Sequence, residues 1–322
     1  LKTPNIKRPK GIEDLLSGEL IARLGQLDLT SRKIFAGKMR GERRSKKRGE
    51  SVEFADHRQY VSGDDLRFID WNIYGRLDRF FMKLFLEEED LSLHLVIDAT
   101  GSSDCGEPNK FLYTQRLAMA LAYIGLVNLN RVAITAVGGR FRPVGTDDDA
   151  GILIDDPSKS AHEIRDLRGR RRVQDVARFL CSLEPAGSAN FPQACKRLAL
   201  TRRGRGVMVV VSDFFFKEGY EDGLRLLAGR GYDLFALQIL SPQEVEPEIG
   251  GDLRLRDIED GDLAELTISA PLLKKYKQNL AAWNDGLRSF CARREINNLT
   301  VRTDTPVETL VLEYLRKRGV LK

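Results

Sequence analysis

From residue 91 onward, short apolar runs alternate with longer segments whose apolar residues recur at helical spacing. Residues 91–98 (LSLHLVID), 131–137, 206–213 (GVMVVVSD), 232–240 (YDLFALQIL) and 299–302 are rich in Leu, Val and Ile, which predicts buried strands. Between them, 109–130 carries Leu117, Leu121, Ile124 and Val127 on one helical stripe, and 173–183, 191–200, 220–229, 271–294 and 306–318 also read as helices. Pro271 suits a first helical position, where a missing N–H costs no hydrogen bond. Continuous apolar strands separated by helices predict a doubly wound, mostly parallel α/β sheet covered on both faces. In such sheets ligands sit beyond the carboxyl ends of the strands.

The first 90 residues have a different texture. Residues 11–27 predict a short amphipathic helix with Leu15, Leu16, Ile21, Leu24 and Leu27 on one side. From 38 to 48, seven of eleven residues are Lys or Arg against one Glu. A polar stretch over 51–79 shows no helical period, and an apolar run then ends in Glu87, Glu88 and Glu89. The expected organisation is a segment over 1–90 and a sheet domain over 91–322.

Composition narrows the class. The hydrophobic fraction of 42% and charged fraction of 31% over 322 residues describe a globular chain long enough to bury a sizeable core. No apolar run approaches the roughly 20 residues that a bilayer span needs. The sequence opens Leu-Lys-Thr-Pro-Asn without an apolar signal segment, so a cytoplasmic location is expected. Fifty-two basic against 47 acidic residues give a net charge of +5, too mild to demand a polyanionic partner. Cys105, Cys181, Cys195 and Cys291 are widely spaced, unlike a zinc ribbon or a disulfide framework. His94, within an apolar strand, reads as a core residue.

Two predicted strands end in aspartate. The first releases Asp98-Ala-Thr100-Gly-Ser102 and the second Ser212-Asp213, so the two carboxylates are expected near each other on adjacent strands. One carboxylate and two hydroxyls at alternating positions are hard oxygen donors, suited to Mg²⁺ or Mn²⁺. The loop over 187–190, with Ser188 and Asn190, is a further source of oxygen. The same residues also suit plain capping of a turn.

Asp98-x-Thr100-x-Ser102 resembles the Asp-x-Ser-x-Ser metal-ion-dependent adhesion site (MIDAS) of von Willebrand factor A domains, with Asp213 matching the later aspartate. A longer match lies upstream, where 53–76 reads EFADHRQYVSGDDLRFIDWNIYGR. This run, with Arg58, Tyr60, Gly63, Asp64, Asp65, Arg67, Asp70, Trp71 and Arg76 in place, is similar to the family called domain of unknown function 58. Ser241-Pro-Gln-Glu244-x-Glu246-Pro247 and Thr303-Asp304-x-Pro306 extend the resemblance over nearly the whole chain from about residue 35. It implies a von Willebrand factor A-like, Rossmann-type domain with a family-specific N-terminal segment. It also implies a non-enzymatic interaction module that works with a MoxR-type AAA+ ATPase on a client protein. Asp98, Thr100, Ser102, Ser188 and Asp213 are the metal ligands it implies. At the distal loop the family's threonine falls on Ala189, so Ser188 serves there only with a one-residue shift.

The acids and arginines between Gly63 and Arg76 suggest a closed network of charge-assisted hydrogen bonds, docked by Trp71, or else a partner surface. Two other functions compete with the interaction module. A metal-dependent hydrolase would use Asp98, Asp213 and a bound water. A nucleic-acid-binding protein would use the basic run at 38–48, Arg168–Arg172 and Arg202, Arg203 and Arg205. These clusters lack the interleaved aromatics that stack on bases, and nucleic-acid binding is not expected.

Overall fold

The computed structural model describes residues 7–29, 54–62, 66, 69–85, 91–141, 161–201, 206–259, 261–317 and 319–321. The chain forms two compact units, Leu1–Ile34 with Ser92–Lys322, and Phe35–Leu91. The N-terminal helices therefore belong to the larger unit. Where one helix was expected, two form: α1 (Ile12–Leu15) and α2 (Gly18–Leu24). Ser17 interrupts them because its side chain caps α2, accepting from Leu20 N at 3.2 Å. Leu15, Leu16, Leu20, Leu24 and Leu27 are all buried.

In the smaller unit, β1 (Phe54–Gln59) and β2 (Phe81–Phe85) pair antiparallel around α3 (Trp71–Leu77). Asp70 starts α3, its Oδ1 accepting from Asn72 N at 2.9 Å and Ile73 N at 3.2 Å. A polar segment without helical period thus becomes a hairpin and a short capped helix. Trp71 does not dock the segment as expected. It is 62% exposed and meets Tyr74 and Phe80 edge-on.

The larger unit is built on β3 (Ser92–Asp98), α4 (Lys110–Val127), β4 (Arg131–Val137), the short β5 (Arg140–Phe141) and β6 (Ala161–Leu167). Next come α5 (Val173–Ser182), β7 (Leu183–Glu184), α6 (Phe191–Thr201), β8 (Gly206–Ser212), α7 (Glu221–Ala228) and β9 (Tyr232–Leu240). The chain then forms α8 (Pro242–Val245), β10 (Gly251–Arg256), β11 (Leu263–Ile268), α9 (Ala270–Ala292), β12 (Asn297–Arg302) and α10 (Val307–Thr309). A π-helical turn over Leu310–Leu315 follows α10, so the helix expected over 306–318 is not regular throughout.

Six strands make the central sheet in the order β12-β9-β8-β3-β4-β6. All neighbours are parallel except β4 and β6. Every residue of β8 and β9 is buried, which is why both read as unbroken apolar runs. The antiparallel edge strand β6 escaped prediction because its sequence, AHEIRDL, is only partly buried and mixes charges with apolar residues. The exposed hairpin β10–β11 escaped for the same reason, and it forms a two-stranded sheet of its own. Among the described residues, no helix is long and apolar enough to cross a membrane.

The strand order places the switch point between β3 and β8, the adjacent pair from which the connections run in opposite directions. Gly206 begins β8 against the start of β3, where a Cβ would lie 2.0 Å from Ser92 O, leaving room only for glycine.

Candidate functional site

Beyond β3 the chain turns through a short 3₁₀ segment, Gly101–Ser103, before entering α4. Backbone hydrogen bonds hold this loop from beneath. Ala99 N donates to Val137 O at 2.9 Å, Ala186 N to Ala99 O at 3.1 Å, and Gly101 N to Gly187 O at 2.8 Å. Gly139 completes the cradle in the left-handed region, where a Cβ would lie 2.9 Å from Ala99 Cβ. The loop is therefore fixed by β4 and by the 186–187 segment before any ligand arrives.

The side chains on this rigid loop form a run of oxygens. Asp98 Oδ1 accepts from Thr100 N at 3.0 Å and from Thr100 Oγ1 at 2.7 Å. Asp98 Oδ2 accepts from Ser212 Oγ at 2.7 Å, which links the end of β3 to the end of β8. Ser102 Oγ lies 3.0 Å from Thr100 Oγ1 and donates to Glu259 Oε1 at 2.6 Å. Each hydroxyl carries one hydrogen. If Thr100 gives its own to Asp98 and Ser102 gives its own to Glu259, none remains for the Thr100–Ser102 contact. Two oxygen lone pairs then face each other.

Asp98 is deeply buried, and its carboxyl is pushed up to about 6. Burial is the main cause, the charge of Asp213 adds to it, and the hydrogen bonds from Ser212 and Thr100 oppose it. Asp213 has a different neighbourhood. Its Oδ2 accepts from Lys110 Nζ at 2.7 Å, and the same ammonium donates to Glu244 Oε1 at 2.6 Å. The Lys110 side chain is only 3% exposed. Burial alone would favour the neutral amine, but Asp213 and Glu244 together hold Lys110 above its ordinary lysine range. Glu244 is positioned by a capping box, its Oε2 accepting from Ser241 N at 2.7 Å. Cys105 sits beside this cluster. Its thiol is pushed up to about 11, chiefly by burial, so it is a poor nucleophile at neutral pH.

The structure brings together Asp98, Thr100, Ser102 and Asp213, as the strand ends imply. Ser188 lies exposed in the neighbouring loop, and Ala189 packs against the hydrophobic core. The signature residues Arg58, Tyr60, Asp70, Trp71 and Arg76 fall in the smaller unit, while Gly63, Asp64, Asp65 and Arg67 lie outside the described residues. Asp70 pairs with His57, its Oδ2 lying 3.0 Å from His57 Nε2, besides capping α3. The basic run at 38–48 and Arg202, Arg203 and Arg205 also lie outside the described residues. Arg172 pairs with Asp175 one helical turn on, at 2.9 Å. Thr303 from the C-terminal motif reaches the loop before α4, donating to Pro108 O at 2.8 Å.

Lys110 and Glu259 are site residues that pattern reading missed, and Glu244 was matched within the Ser241–Pro247 run without a role at the site. Lys110 had a signal, since it is a lone ammonium opening a helix (KFLYTQRLAMALAYIGLV) that is buried on nearly every side. Glu259 had none, because 157 residues separate it from Ser102.

Among the described residues, no three His, Cys, Asp or Glu side chains are grouped to hold a metal ion. A cation here would depend on hydroxyls. The oxygens of Asp98, Thr100 and Ser102 do fit a small hard dication. Their successive separations of 2.7 and 3.0 Å compare with about 3.0 Å for the edge of an octahedron with 2.1 Å bonds.

The chain is thus a doubly wound α/β protein with one antiparallel edge strand and an Asp-x-Thr-x-Ser loop at its switch point. The chain belongs to the family described as "Protein of unknown function DUF58", which matches residues 56–149 and 141–285. It is 26% identical over 330 residues to the uncharacterized protein Mb1516 of Mycobacterium bovis, covering 99% of this chain and 98% of that one. It is 30% identical over 159 residues to the uncharacterized protein MAV169 of Mycobacterium avium, covering 48% and 93% respectively. Among solved structures it is similar to the conserved hypothetical protein BatB from Bacteroides thetaiotaomicron, with TM-score 0.41, 12% identity, and coverage of 70% of this chain and 98% of that one. It is also similar to proximal thread matrix protein 1 from the mussel byssus with a zinc-occupied MIDAS motif, with TM-score 0.34, 12% identity, and coverage of 47% and 36%.

Proposed function

We propose that this protein is a non-enzymatic docking module whose switch-point loop receives an acidic side chain of a partner. Asp98, Thr100 and Ser102 would hold Mg²⁺ or Mn²⁺. A bound dication supplies the positive pole that a partner carboxylate seeks, and it removes the need for a hydrogen between Thr100 and Ser102. The observation that carries this reading is the oxygen run itself, in which two hydroxyl hydrogens serve three contacts and a carboxylate already rests on Ser102.

Lys110 supports a binding role over hydrolysis. With its charge shared between Asp213 and Glu244, Asp213 is engaged in a buried ion pair and is poorly placed to activate water. The resemblance to domain of unknown function 58 supports a MoxR-type AAA+ ATPase as the partner, acting with this chain on a client protein.

The test is co-purification of the full chain with a MoxR-type ATPase from the same organism. Binding should require Mg²⁺ or Mn²⁺, should be lost on chelation, and should be lost in Ser102→Ala at unchanged thermal stability. Capture of the ATPase that is indifferent both to chelator and to Ser102→Ala would overturn the metal-mediated reading.

A further inference from the structure

Glu259 sits in the turn between β10 and β11, far from the sheet in sequence but on the site in space. The turn is closed locally. Asp257 N donates to Asp262 O at 2.8 Å, Gly261 N to Asp257 O at 3.1 Å, and Glu259 N to Asp257 Oδ1 at 2.8 Å. From this closed turn Glu259 meets Ser102 Oγ at 2.6 Å. The backbone follows the side chain, since a Cβ on Gly101 would lie 3.4 Å from Ile258 O. Lys217, in the segment that follows β8, pairs with Asp257 at 3.2 Å.

The rest of the hairpin is lightly held. Leu255, Leu263 and Leu266 are exposed, and Ile258 at the tip is 53% exposed. The Lys217–Asp257 pair is itself open to solvent, where such pairs contribute little. Two-stranded hairpins with solvated faces are marginal by themselves in water. The tip is therefore placed firmly enough to be ordered and weakly enough to leave.

Resting on the docking reading above, we infer that the β10–β11 tip is an internal occupant of the docking site, with Glu259 standing where the partner's carboxylate goes. The partner is then a protein that presents Glu or Asp at an exposed turn, and it must displace the tip to bind. An occupied site has its apparent affinity divided by the fraction that is free, so removing the occupant strengthens binding without changing the site.

The probe is a fluorescent peptide of residues 251–268, cyclised through an added terminal disulfide, titrated into the full chain in Mg²⁺ buffer. It should bind the Glu259→Gln chain about tenfold tighter than wild type, as expected if the tip is home about nine-tenths of the time. The same peptide carrying Glu259→Gln should not bind, and Ser102→Ala in the chain should abolish binding. Amides of 251–268 should exchange faster in the Glu259→Gln chain while the melting temperature is unchanged. Equal affinity of the peptide for both chains, with Ser102 still required, would overturn the occlusion and leave the docking reading standing. Absence of binding to either chain would overturn both.

Discussion

Asp98 and Asp213 end neighbouring parallel strands at the same switch point, yet they meet opposite surroundings. Asp213 faces a buried ammonium that it shares with Glu244, whereas Asp98 is held by neutral hydroxyls and a backbone N–H. A carboxylate held by neutral donors alone still bears most of its desolvation cost, which, with the charge of Asp213, is why Asp98 is pushed up to about 6. The comparison teaches where a cation is wanted. The Asp213 side already has one, and the Asp98 side does not.

The largest effect should come from removing the built-in cation. Lys110→Met leaves the buried Asp213 and the half-buried Glu244 without the cation they share, and should cost about 3–5 kcal/mol in denaturant unfolding. A loss below about 1 kcal/mol would mean that the ammonium is not what neutralises that half of the site.

Next comes the pH dependence of Asp98, measured in chelator. Its folded value of about 6 lies above the unfolded 3.8, so the folded state holds the proton more tightly. Stability from this group is therefore greatest below 3.8 and is lost as pH rises from 4 through 6. The loss should be on the order of 2 kcal/mol, absent in Asp98→Asn and recovered in wild type by millimolar Mg²⁺. Parallel pH curves for wild type and Asp98→Asn would remove the contrast between the two aspartates.

Ser102→Ala should change unfolding stability by less than about 1 kcal/mol, because Ser102 is only partly buried. It should nevertheless abolish the rise in melting temperature that Mg²⁺ or Mn²⁺ gives wild type by mass action. An undiminished rise would place the ion elsewhere.

The smallest effect concerns a third aspartate. Asp70 caps a helix in the smaller unit and pairs with His57. Asp70→Asn should be nearly silent because Asn caps as well, whereas Asp70→Ala should cost about 1 kcal/mol. A large loss in Asp70→Asn would instead put the weight on the His57 contact.

Much of this molecule is legible without coordinates. Burial on both faces forces strands such as VMVVV to be apolar throughout, so the sheet announced itself, and its switch point pointed to Asp98, Thr100, Ser102 and Asp213. The edge strand β6 and the hairpin β10–β11 stayed hidden because exposed backbone pairing tolerates any polar sequence. Trp71 misled for a related reason, since a large aromatic in a polar run reads as an anchor although its ring lies on the surface.

The sequence by itself determined the layers of the fold and which strand ends carry oxygens, because both depend on local pattern and on burial along one segment. Only the tertiary structure decided the electrostatics of the site. Whether a strand-end carboxylate meets an ammonium, a hydroxyl or another acid depends on what folding brings from 103, 134 or 157 residues away, as it does for the Lys110–Asp213, Lys110–Glu244 and Ser102–Glu259 pairs. Local periodicity carries no trace of such pairings, because charge interactions act through space and burial multiplies them only once the chain is closed.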